Sequence, residues 1–149
     1  MRVYLDTSAA GKLIRLEPES KAMTDFANDP RFTLVGSWLL VTELRRMAVR
    51  SGIPQSEVTA VLNGIEIYPL TAQDFEFAGT LPDSGVRSLD ALHLQSASAL
   101  RVDFVVTYDR RMKDVSSRVY GLPVLEPGRD PDDDPASEVA RRLQQAAGL

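Results

Sequence analysis

The 149-residue chain contains no cysteine and a single histidine, His93. Without cysteine there is no disulfide framework, no thiol nucleophile and no cysteine–zinc site, which fits a reducing cytoplasm. With one histidine, paired-histidine acid–base chemistry within the chain is excluded, and zinc is poorly served. Long hydrophobic runs are missing as well. No apolar stretch approaches the roughly 18 residues that a membrane helix needs. Met1-Arg2 leads directly into Val3-Tyr4-Leu5, without the apolar region and cleavage site of a secretory signal. The expectation is a cytoplasmic protein that makes no use of a membrane.

An excess of positive charge is also absent, since the formal net charge is −4. The imbalance is local. Glu126 to Leu149 holds six acids against three arginines, and the rest of the chain is nearly neutral. If several acids hold a divalent cation, the working surface is effectively basic. Net charge therefore does not exclude nucleic acid as a partner.

What is present is an alternation of β-type and helical segments over a length that suits one domain. Strands are expected at Arg2–Leu5, Phe32–Val35, Glu66–Tyr68, Asp103–Thr107 and Val124–Leu125. Between them the patterns predict helices over Ser8–Leu16, Pro18–Asn28, Trp38–Arg50, Pro54–Leu62, Thr71–Leu81, Ser88–Leu100 and Arg110–Val119. Ser51-Gly52 and Gly121 are expected stops, with Thr71 and Ser88 as caps. Strands separated by helices argue for an α/β fold, a central, mainly parallel sheet covered on both faces. Ligands in such sheets bind beyond the carboxyl ends of the strands.

Four carboxylates interrupt apolar segments, where an unpaired acid costs several kcal/mol when buried. Asp6 ends the first strand and Asp109 follows the strongest one; each also suits a helix N-cap. Asp90 lies early in a helix whose dipole favours an acid. Glu43 lies in the middle of the Trp38 helix, with Arg46 and Arg50 available as salt-bridge partners. Acids gathered at one sheet edge repel one another unless a cation sits between them. Oxygen-only ligands select hard ions, so Mg²⁺ is the expected occupant and Mn²⁺ its substitute.

At these residues the chain resembles a family. Val3-Tyr4-Leu5-Asp6-Thr7-Ser8, Thr42-Glu43, Ser88-Leu89-Asp90-Ala91-Leu92-His93-Leu94 and Val106-Thr107-Tyr108-Asp109 look like the four acidic motifs of PIN domains. Their order and spacing resemble VapC toxins of toxin–antitoxin pairs, over Met1 to Glu126. The resemblance implies a three-layer α/β/α fold with about five strands and metal-dependent endonuclease action on RNA. By position, Asp6 and Asp90 would be the principal metal ligands, and Asp109 would complete the site directly or through water. Glu43 would orient or deprotonate the attacking water. Thr7 and Thr107 match small hydroxyl residues that hold metal waters or phosphate. A homodimer and a cognate antitoxin that blocks the cleft are implied too.

Arg46, Arg87 and Arg110 lie near these acids in sequence and are candidates to grip the RNA backbone; solvated surface charge is the bland alternative for each. His93, three residues after Asp90, reads as a packing or dimer-interface residue that could reach the cleft. Trp38 reads as a core or antitoxin-contacting residue. Residues 127–136 form an acidic, proline-rich linker, and 137–149 a terminal helix that departs from the family pattern and reads as a solvated appendage. Two rival functions share these features. A catalytically silent PIN-fold module could bind RNA or protein without cutting. An aspartate-nucleophile phosphotransfer domain also places Asp after a first strand, but the paired acid it needs nearby is missing.

Overall fold

Both faces of every central strand are covered, so alternate residues of one strand belong to different layers. In the computed structural model, which describes residues 1–129, 141, 142, 144, 145 and 148, five strands form one sheet. They are β1 (Arg2–Leu5), β2 (Thr33–Ser37), β3 (Glu66–Tyr68), β4 (Phe104–Val106) and β5 (Val124–Leu125), in the order β3-β2-β1-β4-β5. All pairings are parallel. Seven helices accompany them among the described residues: α1 (Thr7–Ala10), α2 (Ser20–Ala27), α3 (Trp38–Ser51), α4 (Gln55–Leu62), α5 (Ala72–Gly79), α6 (Ser88–Ala99) and α7 (Arg110–Tyr120).

Val3 and Leu5 of β1, with Phe104 and Val106 of β4, meet Ala9, Phe26, Leu40, Leu44 and Val58 from α1 to α4. Tyr4, Val35, Val105 and Val124 face the other way, toward Ala97 of α6. This is the two-sided burial of a parallel sheet. In α3, Leu40, Leu44 and Ala48 are wholly buried, a four-residue repeat that seats one helix face on the sheet. Each large side chain so buried contributes about 1.5–3 kcal/mol. Glu43 immediately precedes Leu44, so its position is tied to this packing.

The order of strands places the chemistry. The chain starts in the middle of the sheet at β1, winds outward to β3, then returns to β4 beside β1. The connection after β1 leads to α1 on one face. The one after β4 leads to α7, whose Val115 packs on Leu94 of α6 across the other face. Segments leaving adjacent strands toward opposite faces open a crevice at the strands' carboxyl ends. Asp6 and Asp109 stand on its two sides.

Most expected elements are present, with three differences. The single helix expected over Ser8–Leu16 is α1 followed by a short 3-10 turn at Gly11–Leu13; tightening there carries Lys12 into a buried pair with Glu17 and Glu19. Pro18 does not open the next helix, because Ser20 first closes a turn, accepting from Glu17 N and donating to Arg15 O. Ser88 is the first residue of α6 and not its cap; Arg87 holds that place, without a side-chain bond. Gly52 and Gly121 end α3 and α7 with positive φ of 66° and 64°, as glycine stops should. The expected linker and terminal helix fall largely outside the described residues; Arg141, Arg142, Gln144 and Gln145 are helical.

Candidate active site

Asp6 is 3% exposed and sits where β1 turns into α1. Its Oδ1 accepts from Ala9 N at 3.0 Å, capping α1. Ser8 Oγ donates to both carboxylate oxygens, at 2.8 and 3.0 Å, and Thr107 Oγ1 donates to Oδ2 at 2.6 Å. Burial pushes the acid's pKa up, and the Thr107, Ser8 and Ala9 bonds and the His93 ring pull it back. Ser8 has one proton to share, so three donors serve about four lone-pair sites. One acceptor site remains for an ion. A carboxylate so engaged is a poor nucleophile, which argues against the phosphotransfer reading.

Asp109 stands at the end of the segment following β4. Its Oδ1 accepts from Met112 N at 3.0 Å and caps α7. The bland reading of both strand-end acids is therefore true, and compatible with the other one. Asp90, in the first turn of α6, carries the clearest electrostatic signature. Its pKa is raised by burial first, then by the charge of Asp109, then by Asp6 and Glu43, against a lowering from His93. The other three expected acids thus all act on this one carboxyl.

Glu43 does not pair with Arg46. Its Oε1 meets His93 Nε2 at 2.6 Å. Burial works to raise its pKa but is outweighed by the His93 bond and charge, the Thr7 hydroxyl and the distant Arg50, so the net shift is downward. Thr7 Oγ1 is near enough to favour the ionised carboxylate yet outside hydrogen-bonding geometry. Among the described residues it is the one buried side-chain polar atom without a partner. Thr107 is wholly buried and links the two strand ends, accepting from Asp109 N at 3.1 Å while donating to Asp6.

Among the described residues none of these acids forms a salt bridge with an arginine or lysine. No three acidic or imidazole groups converge into a ready-made metal cage either. The donor set is open and all-oxygen, with an orphaned hydroxyl and three acids that push up the pKa of a fourth, Asp90. It fits a hydrated divalent ion, because Mg²⁺ keeps several waters and takes only one or two carboxylates.

Arg46, Arg87 and Arg110 are exposed. Arg45 is committed elsewhere, to Gln55 Oε1 at 3.0 Å and Thr59 Oγ1 at 3.3 Å. Two contributors carried little sequence signal. Ser8 binds Asp6 and also accepts from Tyr108 N at 2.9 Å; its place two residues after a strand-end acid was the available clue. His93 is buried, as a packing residue should be, yet bonded to the site; its i+3 spacing from Asp90 was the clue.

The PIN-domain family model matches residues 3–117. Ribonuclease VapC35 of Mycobacterium tuberculosis is 36% identical over 134 residues, covering 85% of this chain and 98% of that protein. Ribonuclease VapC47 of the same organism is 33% identical over 137 residues, covering 85% and 97%. Among solved structures, the Sarcin-Ricin loop cleaving toxin VapC20 of M. tuberculosis aligns with a TM-score of 0.64 at 15% identity, covering 76% of this chain and 94% of that one. VapBC2 of Rickettsia felis, bound to a promoter DNA fragment, aligns at 0.62 and 20% identity, covering 84% and 98%. The chain belongs to the PIN-domain family, as a ribonuclease of the VapC type. Ribonucleases of this type are metal-dependent. Among the described residues no helix is long and apolar enough to cross a membrane.

Proposed function

We propose that this VapC-type ribonuclease is the toxin of a toxin–antitoxin pair and hydrolyses RNA phosphodiester bonds with Mg²⁺, or Mn²⁺ in its place, at Asp6, Asp90 and Asp109. One observation carries the reading: the acids at the ends of β1 and β4 and in α3 all bear on Asp90 in α6, and none of the four has an arginine or lysine salt-bridge partner among the described residues. Acids left so are short of positive charge, and a divalent ion supplies it.

When bound, such an ion makes water more acidic and neutralises charge on the phosphodiester. The chain does the rest. Asp6 is held by three donors before substrate arrives, so little reorganisation is needed. Glu43, kept ionised, accepts the proton of the attacking water. Water's oxygen bonds to phosphorus as the bond to the 3′ oxygen breaks, giving 5′-phosphate and 3′-hydroxyl ends. Thr7, whose hydroxyl is left without a partner, holds water or phosphate near the acids, whereas the wholly buried Thr107 is spent on fixing Asp6 and Asp109 and does not reach substrate as expected from the sequence. Arg46, Arg87 and Arg110, exposed around the cleft's elements, take the RNA backbone.

Two protein partners complete the reading. Trp38, Phe75 and Leu89, 59%, 53% and 47% exposed, border a hollow of about 440 Å³ beside Glu43. Exposed apolar clusters of this kind suit a protein interface, and we assign this one to a second copy of the chain. A cognate antitoxin, which the VapC kinship supports, would inhibit by covering the acids. RNA and an antitoxin as partners make the cytoplasm the place of action.

The test is incubation of purified protein with RNA and Mn²⁺ or Mg²⁺, with mapping of the cut ends. Asp90→Asn is expected to lower the rate about 100-fold or more, and EDTA to abolish it. Cleavage that survives chelation would refute the metal assignment. Binding without any cleavage would favour the silent module.

A further inference from the structure

Four secondary-structure elements meet in a buried polar chain behind Glu43. Glu43 Oε1 meets His93 Nε2 at 2.6 Å, His93 Nδ1 meets the Tyr4 hydroxyl at 2.7 Å, and Tyr4 meets Ser37 Oγ at 3.1 Å. Glu43 comes from α3, His93 from α6, Tyr4 from β1 and Ser37 from the end of β2. The His93 side chain is 2% exposed, and Tyr4 and Ser37 are wholly buried. The Tyr4 and His93 rings pack edge to face at 5.7 Å. Burial raises the Tyr4 pKa far above its ordinary value, against lowering by Ser37 and Ser96. The phenol therefore stays protonated.

A polar chain in an apolar layer is expensive unless every member is satisfied. Here the only member reaching the cleft is Glu43. An ionised carboxylate accepts and cannot donate, so the proton in the short bond sits on Nε2. Tyr4 engages Nδ1, whichever way the hydroxyl protons of Tyr4 and Ser37 run. A ring held at both nitrogens cannot flip without losing both bonds. One Glu43 oxygen is thereby fixed, and the other is left to accept a proton from water.

We propose that His93 is a positioning residue for catalysis: gripped by Tyr4 and Ser37, it holds the Glu43 carboxylate in the orientation that receives the water proton. This rests on the nuclease reading above. His93 touches neither substrate nor metal; it acts through Glu43.

Four substitutions and one spectrum test it. In His93→Leu, kcat should fall about 10- to 100-fold, as when a partner that orients a working group is removed. KM for RNA and the Mn²⁺ affinity measured by calorimetry should stay within about threefold, because the phosphate-binding arginines and the three aspartates are untouched. His93→Gln, which restores a donor toward Glu43, should recover most of the loss. Tyr4→Phe should lower kcat by a smaller factor. In a Glu43→Gln background, His93→Leu should cost little more, since the two act as a unit. His93 is the only histidine in the chain, so its ring resonances are unambiguous. A slowly exchanging Nε2–H signal should be present in the wild type and shifted in Glu43→Gln.

An unchanged kcat in His93→Leu overturns the proposal. So does a full additional loss in the Glu43→Gln background, which would mean that His93 acts through stability alone. If His93→Leu fails to fold, His93→Gln and Tyr4→Phe decide by the same kcat criterion. A wild type that shows the ring signal but cuts no RNA refutes the nuclease reading itself, and with it this inference. An active wild type with indifferent variants refutes only the role of His93.

Discussion

Thr107 donates to Asp6 at 2.6 Å across the junction of β4 and β1, from 101 residues away. The same oxygen accepts the Asp109 backbone N–H, so one hydroxyl sets two of the four acids. Thr107→Val keeps the shape and removes both functions. A buried carboxylate oxygen would lose a charge-assisted bond, at a cost of about 1–3 kcal/mol. Urea denaturation should show that loss, and Thr107→Ser should recover much of it. Equal stability of the valine variant would contradict the structure.

The crowding of acids makes a second expectation. Asp90 has its pKa raised by burial and by Asp109, Asp6 and Glu43. Its ionised form is disfavoured on folding, so at neutral pH it costs stability. Asp90→Asn should melt about 2–5 °C above the wild type in metal-free buffer at pH 7. Added Mn²⁺ should raise the wild-type melting temperature and leave the variant nearly unmoved. A lower melting temperature in Asp90→Asn would argue against the crowding.

Acid lability should arise elsewhere. Glu19 lies 2.9 Å from Lys12 and 2.7 Å from Arg129. These hydrogen bonds, Lys12 first, hold its pKa down at about 2 from 4.5. The unfolded chain then takes up the proton more readily, and stability falls as pH falls through that interval. Glu19→Gln should melt lower than the wild type at pH 7, with the gap closing between about 4.5 and about 2. A gap independent of pH would show that the ion pairs contribute nothing.

Neighbouring arginines should separate by role. Arg45 is clasped to α4, so Arg45→Ala should lower stability and leave the salt dependence of RNA binding intact. Arg46→Ala, Arg87→Ala and Arg110→Ala should each weaken RNA binding and reduce the slope of log K against log salt by about 0.7. Filter binding across a salt series distinguishes the two behaviours.

The apolar hollow beside Glu43 supplies a further test. Trp38→Glu places a charge on the face we assign to a second copy of the chain. Light scattering should report two chains for the wild type and one for the variant. A monomeric wild type would remove this interface from the account.

Much of this architecture was legible from local pattern. Arg2–Leu5, Glu66–Tyr68 and Val124–Leu125 are strands with the expected bounds, because short apolar runs between turn residues have few alternatives. Thr71 caps α5 as expected, and Asp74 in its first turn reaches back to complete a reciprocal cap. The pattern over Ser8–Leu16 predicts one helix, but the segment breaks at Gly11–Leu13, and the break serves the burial of Lys12 against Glu17 and Glu19. No helical periodicity encodes that distant requirement. Similarly, Arg46 was the natural partner for Glu43 by helix spacing, and the fold supplied His93 from 50 residues away.

The chain's sequence by itself determined the alternation of strands and helices and the kinds of side chain at their ends. Periodicity, capping and burial of apolar residues act over a few positions, and they leave four acids at element boundaries or in an apolar helix. Only the tertiary structure decided which groups those acids meet. Adjacency of β1 and β4 joins Asp6 to Thr107, and the approach of α6 to α3 joins His93 to Glu43. Such pairings depend on the order in which strands enter the sheet, a global property that local spacing does not contain.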